Sequence, residues 1–383
     1  MMREVFIVSD NIISPLGSTT EKNFYLLKQN KSAIGSHTRP EFSSQPFYAS
    51  LLSDEQNNHL DNTGECREYT KFEKLLISSI AEAVTGTDVD LAAPDTIIIV
   101  STTKGNISLL ETEENSPELR ERIALYSSAR IVVDHFKNRN KPVVVSNACI
   151  SGLTAMLTGK RLIQSGRFRH AVVAGADVIS KFILSGFQSF QAVSDKPCRP
   201  FDANRNGVTL GEAAATVVLS CERNGDQNVK FLSGAVSNDA NHISGPSRTG
   251  EELCIAVNKS LREAGLASSE IAFVSAHGTA TIYNDEMEAK AFSLASLETV
   301  PVNSLKGYYG HTLGAAGIVE SIVSIRSLQD DIVLPTAGFE RSGVSSNINI
   351  CDQLQPVKGS AILKTASGFG GCNAALIFQK SYP

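Results

Sequence analysis

The stretch VVVSNACISGLTAM, from Val143 to Met156, joins a valine-rich apolar run to a segment of small residues. The valines are typical of a buried strand, and the residues after Cys149 have the spacing of a helix. A cysteine at such a junction lies near the unpaired N–H groups that open a helix, and these favour a thiolate. Most free cysteines are instead small core residues, so this stretch alone favours a nucleophile only weakly.

The composition excludes several classes of function. The 383 residues include 35 Lys and Arg against 40 Asp and Glu, and this balance gives no support for nucleic-acid binding. The sequence has no run of about 18 uncharged apolar residues, so no membrane span is expected. The start, MMREVFIVSDNIISPLG, lacks the pattern of a signal peptide. Seven scattered cysteines, without C-x-x-C or zinc-finger spacing, favour reduced thiols in the cytoplasm and no metal site.

Short β-rich runs alternate with helical patterns along the chain. The runs predict strands over 96–100, 141–148, 170–177, 214–220 and 271–278, two strands around a glycine turn over 361–379, and helices over 151–166, 251–264 and 315–328. This alternation predicts an α/β fold with mostly parallel sheets that are covered by helices on both faces. The polar break CERNGDQN (221–228) predicts two packed halves, residues 1–221 and 222–383.

Three further motifs contain residues that can take part in catalysis. They are SAHGTAT (275–281) with His277, NSLKGYYGHTLGAAG (303–317) with Lys306 and His311, and SGFGGCN (367–373) with Phe369. Each has an ordinary explanation as a turn histidine, small-residue packing or a glycine turn. Together with Cys149, however, they put a thiol, two imidazoles and an amine at junctions of strands, turns and helices, where α/β proteins build their sites.

These motifs occur in an order that resembles one family. NACISG, CRPFDANRNGVTLGEAAA, SAHGTAT, SLKGYYGHTLGAAG and SGFGGCN are similar to the β-ketoacyl-acyl-carrier-protein synthases, the elongating condensing enzymes of fatty acid and polyketide synthesis. The resemblance is dense from residue 142 to the end of the chain and weaker before it. It implies a thiolase-like fold, in which two similar α/β halves form a five-layered αβαβα arrangement.

The resemblance also implies catalytic roles. Cys149 would take an acyl chain from a carrier-protein thioester. His277 and His311 would bind the malonyl thioester carbonyl and promote loss of CO₂, and the resulting carbanion would attack the acyl-cysteine to give a β-ketoacyl chain two carbons longer. Lys306 would orient this set, with Glu320 as its partner.

The resemblance assigns substrate contacts and partners as well. The backbone N–H groups of Cys149 and Phe369 would form the oxyanion hole. The remaining predicted substrate contacts are Thr279 and Thr281 in the phosphopantetheine tunnel, Phe369 as a gate, Phe187 in the acyl pocket, and Gly370. No cofactor is implied beyond the phosphopantetheine arm of the acyl carrier protein. The expected partners are that carrier, acyl and malonyl thioesters, and a second ketosynthase chain in a homodimer or a heterodimer.

Several positions depart from the family pattern. The segment between the N-terminal strands and Cys149 is shorter than in ordinary elongating synthases. Gln191, Ile282 and Ser367 stand where arginine, proline and phenylalanine are usual in the family. These changes favour a specialised polyketide or polyene pathway. Carrier docking is expected on basic residues, and Arg67, Lys71 and Lys74 share one helical face. An ordinary solvated helix face explains these three residues equally well.

Two alternatives to a catalytic synthase remain open. The first is a non-catalytic chain that pairs with a synthase and shapes its acyl cavity. Cys149 with both histidines argues against it. The second is a thiolase-like acyltransferase that acts on coenzyme A thioesters. His311 and the glycine turn weigh against it, and Cys372 in that turn is interpreted as a packing residue.

Overall fold

The computed structural model describes residues 3–61, 69–223, 229–240 and 245–381. The strands are β1 Phe6–Ile13, β2 Gly35–His37, β3 Phe47–Ser50, β4 Thr96–Ser101, β5 Val143–Val145, β6 His170–Asp177, β7 Leu210–Gly211, β8 Ala213–Ser220, β9 Val229–Asn238, β10 Ile271–Ser275, β11 Val302–Asn303, β12 Ile332–Val333, β13 Gln355–Pro356, β14 Ala361–Gly368 and β15 Cys372–Lys380. The helices are α1 Thr20–Lys28, α2 Asp54–Asp61, α3 Lys71–Val84, α4 Pro117–Ile123, α5 Leu125–His135, α6 Ser151–Gln164, α7 Lys181–Ser189, α8 Glu251–Ala264, α9 Ile282–Leu294, α10 Lys306–Tyr309 and α11 Ala316–Gln329.

Ten strands form one large sheet in the order β11-β10-β14-β15-β9-β1-β8-β6-β4-β5. The first five strands in this order come from the second half of the chain, and the last five come from the first half. A short antiparallel pairing of β1 with β9 joins the two groups. Part of the polar break between the halves, residues 224–228, lies outside the described residues. The division at residue 221 therefore stays a prediction.

The expectation of mostly parallel sheets is wrong, because the sheet is mixed. β4 runs parallel to β5 and β6, and β10 runs parallel to β11 and β14. The pairings of β1 with β8, β8 with β6, β14 with β15, and β15 with β9 are antiparallel. The glycine turn between β14 and β15 is too short for a crossover, so these two strands can pair only as a hairpin.

Helices cover both faces of the sheet, and two of them lie between its two five-stranded groups. α3 packs on β1, β6 and β8, and α8 packs on β9 and β15. α6 contacts strands of both halves, and α11 lies beside it. The two central helices cross closely: a Cβ on Gly152 would lie 2.9 Å from the Ile318 nitrogen, and one on Gly317 would lie 2.8 Å from the Leu153 nitrogen. The layers are those of the predicted thiolase-like αβαβα fold.

Two predicted strands end early, and both do so at the site. The run 141–148 is a strand only over Val143–Val145, and 271–278 is a strand only to Ser275. In both places the chain leaves the sheet to present Cys149 or His277. The strand over 170–177 and the helix over 251–264 have the predicted bounds. Among the helices of the described ranges, none has both the length and the apolar character needed to span a bilayer.

Candidate active site

A strained turn between β5 and α6 presents Cys149. Ala148 has a φ of 44°, in the left-handed region that non-glycine residues rarely adopt. The Ser151 hydroxyl accepts a hydrogen bond from the Asn147 N–H at 2.7 Å and donates one to the Ala148 carbonyl at 2.6 Å. These bonds stabilise the turn, so Cys149 belongs neither to the strand that ends at Val145 nor to the helix that starts at Ser151.

The thiol lies in a cavity of about 430 Å³. The cavity walls include most of the predicted site residues, namely Cys149, Phe187, His277, Thr279, Thr281, His311 and Phe369. Lys306 and Glu320 are not in the wall but lie buried behind it. Gly370 is not among the lining residues, although its neighbours in the glycine turn are, and its role as a substrate contact stays a prediction.

Three reactive side chains converge in this cavity. The Cys149 sulfur and one ring nitrogen from each of His277 and His311 all lie within 4.8 Å of one another. The two rings meet edge to face, with centroids 5.2 Å apart and planes at 85°. Both histidines are buried, and the Cys149 sulfur is buried beside them although the residue as a whole is partly exposed. A substrate thioester entering the cavity would therefore meet all three groups at once.

The hydrogen bonds of the two rings determine which nitrogen carries the proton. The Lys306 ammonium lies 3.1 Å from Nδ1 of His277, and an ammonium can only donate. The Leu313 backbone N–H donates to Nδ1 of His311 at 3.3 Å. Both Nδ1 atoms are thus acceptors, and both neutral rings carry their proton on Nε2. Nε2 of His311 is buried and has no hydrogen-bond partner within the described residues.

A buried charge network behind the cavity holds His277. The Lys306 ammonium donates to the His277 carbonyl at 2.8 Å and pairs with Glu320 at 2.6 Å. Glu288 accepts the backbone N–H groups of His277 at 2.8 Å and of Gly278 at 2.6 Å. The pairing of Lys306 with Glu320 follows the sequence-based expectation. Glu288 was not predicted, although its place on the helix directly after the His277 motif was a usable signal.

Burial affects the protonation state of the Cys149 thiol. Burial raises the pKa of Cys149 to about 12, while the positive charge of Lys306 and a hydrogen bond from the Phe369 N–H act in the opposite direction. Desolvation therefore acts against the thiolate that the helix start was expected to favour, and that expectation stays a prediction. The same Phe369 N–H lies where the predicted oxyanion hole needs a donor.

Burial also keeps both histidines neutral. It lowers the pKa of His277 and of His311 well below the usual 6.5, and the positive charge of Lys306 lowers both further. Neutral imidazoles with Nε2 protons are hydrogen-bond donors that carry no positive charge. They can stabilise negative charge that develops on a thioester oxygen.

This arrangement predicts a pH dependence of stability. Since the histidine pKa values are depressed in the folded state, the unfolded state binds more protons as the pH falls below 6.5. The contribution of the neutral histidines to the free energy of unfolding is complete above pH 6.5. It is lost as the pH falls further, at about 1.4 kcal/mol per pH unit for each histidine. Denaturant unfolding between pH 5 and 8 measures the free energy of unfolding.

A His311→Asn variant provides the control for this measurement. Asp285 is also buried, and its pKa of about 7 gives a dependence of opposite sign in both proteins. The difference between wild type and variant therefore isolates the histidine. If the two proteins lose stability in parallel below pH 6.5, His311 is not held neutral by the fold.

The same three side chains include the ligand types that zinc prefers. A metal, however, needs an unprotonated ring nitrogen, and hydrogen-bond donors occupy Nδ1 of both His277 and His311. The ammonium groups of Lys306 and Lys364 also place positive charge behind the rings. The donor set therefore fits a metal ion poorly, and the expectation of a site without metal stays a prediction.

Aromatic rings surround the glycine turn beside the cavity. Phe369 is stacked on Phe187 with centroids 5.9 Å apart and contacts Phe190 at 5.4 Å. Phe369 is 38% exposed, so it lies between the cavity and solvent, as a gate would. The hydroxyls of Thr279 and Thr281, which also line the cavity, form a 2.9 Å hydrogen bond with each other.

The predicted docking face is occupied by ion pairs. Lys71 pairs with the buried Glu212 at 2.7 Å, and Lys74 pairs with Asp61 at 2.7 Å. Arg67 lies outside the described residues. Since both lysines already have acidic partners, the structure favours the ordinary helix-face explanation for this segment.

Comparisons with known proteins identify the family of this chain. Residues 2–224 match the N-terminal domain of beta-ketoacyl synthase, and residues 230–340 match its C-terminal domain. A 3-oxoacyl-[acyl-carrier-protein] synthase 2 of Rhizobium meliloti is 27% identical over 425 residues, covering 99% of each chain. The corresponding synthase of Vibrio harveyi is 26% identical over 414 residues, also covering 99% of each chain.

Solved structures share the fold over the whole chain. A ketosynthase of Xenorhabdus doucetiae in complex with its chain length factor superposes with a TM-score of 0.86 at 24% identity, covering 99% of this chain and 98% of the other. The ishigamide ketosynthase/chain length factor gives a TM-score of 0.86 at 22% identity, covering 100% of both chains. The two domain matches span most of the sequence, so this chain belongs to the β-ketoacyl synthase family.

Proposed function

We propose that the protein elongates a carrier-bound acyl chain by decarboxylative condensation with a malonyl thioester. Its family makes it a condensing enzyme of the acyltransferase class. The observation that carries the proposal is the convergence of one thiol and two Nε2-protonated imidazoles within 4.8 Å. These groups suit one acyl-transfer step and one step that generates an enolate.

The first step is transfer of the acyl chain to Cys149. The cysteine sulfur attacks the thioester carbonyl of the donor, a new C–S bond forms, and the bond to the pantetheine sulfur breaks. The proton of the Cys149 thiol ends on the departing pantetheine sulfur, so the exchange is neutral overall. This balance suits a thiol whose pKa is raised by burial, because no free thiolate has to persist.

The second step is loss of CO₂ from the malonyl thioester. The bond to the carboxylate carbon breaks, and its electron pair passes to the thioester as an enolate. The Nε2–H groups of His277 and His311 donate to the enolate oxygen, and they are held in that tautomer before the substrate arrives.

The third step is carbon–carbon bond formation. The enolate carbon attacks the acyl-Cys149 carbonyl, and the backbone N–H of Phe369 supports the resulting oxyanion. Collapse of the intermediate releases Cys149, which takes up one proton, and leaves the longer β-ketoacyl chain on the carrier.

The proposed partners are an acyl carrier protein and a second synthase chain. The cavity lining includes the exposed Tyr283 as well as Cys149, so the cavity opens to solvent where a flexible arm would enter. Strand β5 is an edge strand of three half-buried valines and pairs only with β4 among the described residues, so it can extend the sheet into another chain. Solved relatives include a ketosynthase with its chain length factor and one with a type II polyketide carrier protein.

A reconstituted condensation assay tests this function. Purified protein is mixed with an acyl-carrier thioester and a malonyl-carrier thioester, and carrier-bound products and CO₂ are measured. We expect one CO₂ for each β-ketoacyl product, which carries two more carbons than the donor. Product formed from acetyl-coenzyme A in place of malonyl-carrier thioester, without CO₂, would instead establish the thiolase-like alternative.

A further inference from the structure

Lys364 is a second lysine buried behind the active site, and none of the steps above uses it. It lies in the strand AILKTASG, which is otherwise apolar or small, and its side chain has 0% exposure. Burying an ammonium is costly unless acceptors surround it. Three oxygens do so: the Ser275 carbonyl at 3.1 Å, the Ala276 carbonyl at 3.0 Å and the Glu320 carboxylate at 2.7 Å.

These contacts reach His277 along two independent routes. Ser275 and Ala276 directly precede His277 in the chain, so Lys364 fixes the two carbonyls where β10 ends and the histidine begins. The second route passes through Glu320. Its carboxylate uses Oε2 for Lys364 and Oε1 for Lys306, and Lys306 then donates to Nδ1 of His277.

Glu320 needs both ammonium groups to stay in this orientation. Without Lys364, its Oε2 would stay buried beside two carbonyl oxygens that have also lost the Lys364 ammonium. The carboxylate would then be free to rotate, and Lys306 would lose the fixed acceptor that aims it at the histidine ring. Loss of one partner from a buried charge network is costly because the remaining groups are left unsatisfied.

We propose that Lys364 is a positioning residue for malonyl decarboxylation, which fixes His277 through the Ser275 and Ala276 carbonyls and through the Glu320–Lys306 pair. This inference rests on the proposed function and assigns a step-specific role to a residue outside the cavity wall. Cys149 is held by a separate turn built on Ser151, so we expect the loss of Lys364 to affect acyl transfer much less than decarboxylation.

The test compares Lys364→Met with wild type in two half-reactions. Acyl transfer to Cys149 is followed by intact mass, and malonyl decarboxylation is followed as CO₂ release without an acyl donor. We expect decarboxylation to fall about 10- to 100-fold, the effect of losing a hydrogen bond to a charged group, and acyl transfer to change little. Lys160→Met is the matched control: Lys160 is also buried, but it bonds Gln164 on α6 and should leave both rates unchanged.

A second measurement separates positioning from a general loss of structure. In a His277→Ala background, Lys364→Met should cause no further loss of decarboxylation, because its effect passes through the ring that is already absent. If Lys364→Met does not fold, Lys364→Gln tests the Glu320 route alone, since its amide keeps a donor toward the two carbonyls but carries no charge to pair with Glu320. Failure of both variants to fold would overturn the proposal in favour of a purely structural lysine.

Three further outcomes would also overturn it: equal losses in both half-reactions, an unchanged rate of decarboxylation, or additive losses in the His277→Ala background. A wild-type protein that neither accepts acyl chains nor releases CO₂ would instead contradict the proposed function itself. The two failures are therefore distinguishable.

Discussion

Replacing Cys149 with alanine is expected to lower formation of the β-ketoacyl product by at least about a thousandfold, because no acyl-enzyme can form. The two Nε2–H donors remain in place, so CO₂ release from the malonyl thioester should persist. The variant would then uncouple decarboxylation from condensation. Product and CO₂ are measured in the same reaction mixture.

Cys372→Ala provides the matched control for this variant. The Cys372 sulfur lies close to the same turn, within 3.8 Å of the Asn147 carbonyl, but it is predicted to serve only packing. Its loss should leave condensation within about threefold of wild type, as is usual for small core changes near a site. If Cys149→Ala still condensed while Cys372→Ala did not, the nucleophile would be Cys372.

Replacing His311 with alanine is expected to have the second-largest effect. Its buried Nε2–H has no partner within the described residues, so it is free to donate to the thioester oxygen. Removal of one such donor should lower malonyl decarboxylation about 100- to 1,000-fold. Acyl transfer to Cys149 should continue, because a different donor, the Phe369 N–H, faces that sulfur.

His59→Ala is the control, since His59 is exposed on α2. It should leave decarboxylation unchanged. A His311→Ala variant that releases CO₂ normally but accepts no acyl chain would assign this ring to acyl transfer and would contradict the mechanism.

The position of the reactive groups was predictable from the sequence because each occurs in a short local pattern. Cys149 follows a valine run and precedes small residues, and His311 follows a glycine and precedes small residues. The small residues proved to serve close packing of α6 on α11, which brings the two motifs together. Local patterns of this kind identify a site even when the residues are far apart in sequence.

The charge network behind the site was only partly predictable. Lys306 and Glu320 were identified, but Lys364 and Glu288 were not: the carbonyl partners of Lys364 are distant in the chain, and those of Glu288 are backbone N–H groups, which a side-chain motif does not reveal. One lysine in an otherwise apolar strand was the available signal for Lys364. The contacts of Lys364 depend on the pairing of β14 with β10, and a sequence pattern does not specify this pairing.

The direction of the strands was mispredicted, and the burial of the Cys149 thiol was not foreseen. Alternating strands and helices suggested parallel pairing, whereas hairpin connections such as that between β14 and β15 impose antiparallel pairs. The helix start suggested a thiolate, whereas burial raises the pKa of Cys149. The β14–β15 hairpin could have been foreseen from its glycine turn, whereas the antiparallel pairing of β1 with β8 and of β15 with β9, and the burial of the thiol, depend on tertiary contacts that local sequence does not contain.

The central claim is that Cys149 accepts an acyl chain from a carrier protein. Intact-protein mass spectrometry after incubation with a panel of acyl-carrier thioesters, followed by peptide mapping, tests it most directly. The account predicts one acyl adduct per chain, confined to the peptide that contains Cys149, and the preferred donor would name the substrate class. A folded sample without an adduct from any donor would contradict the account and favour a chain that only shapes the cavity of a partner synthase.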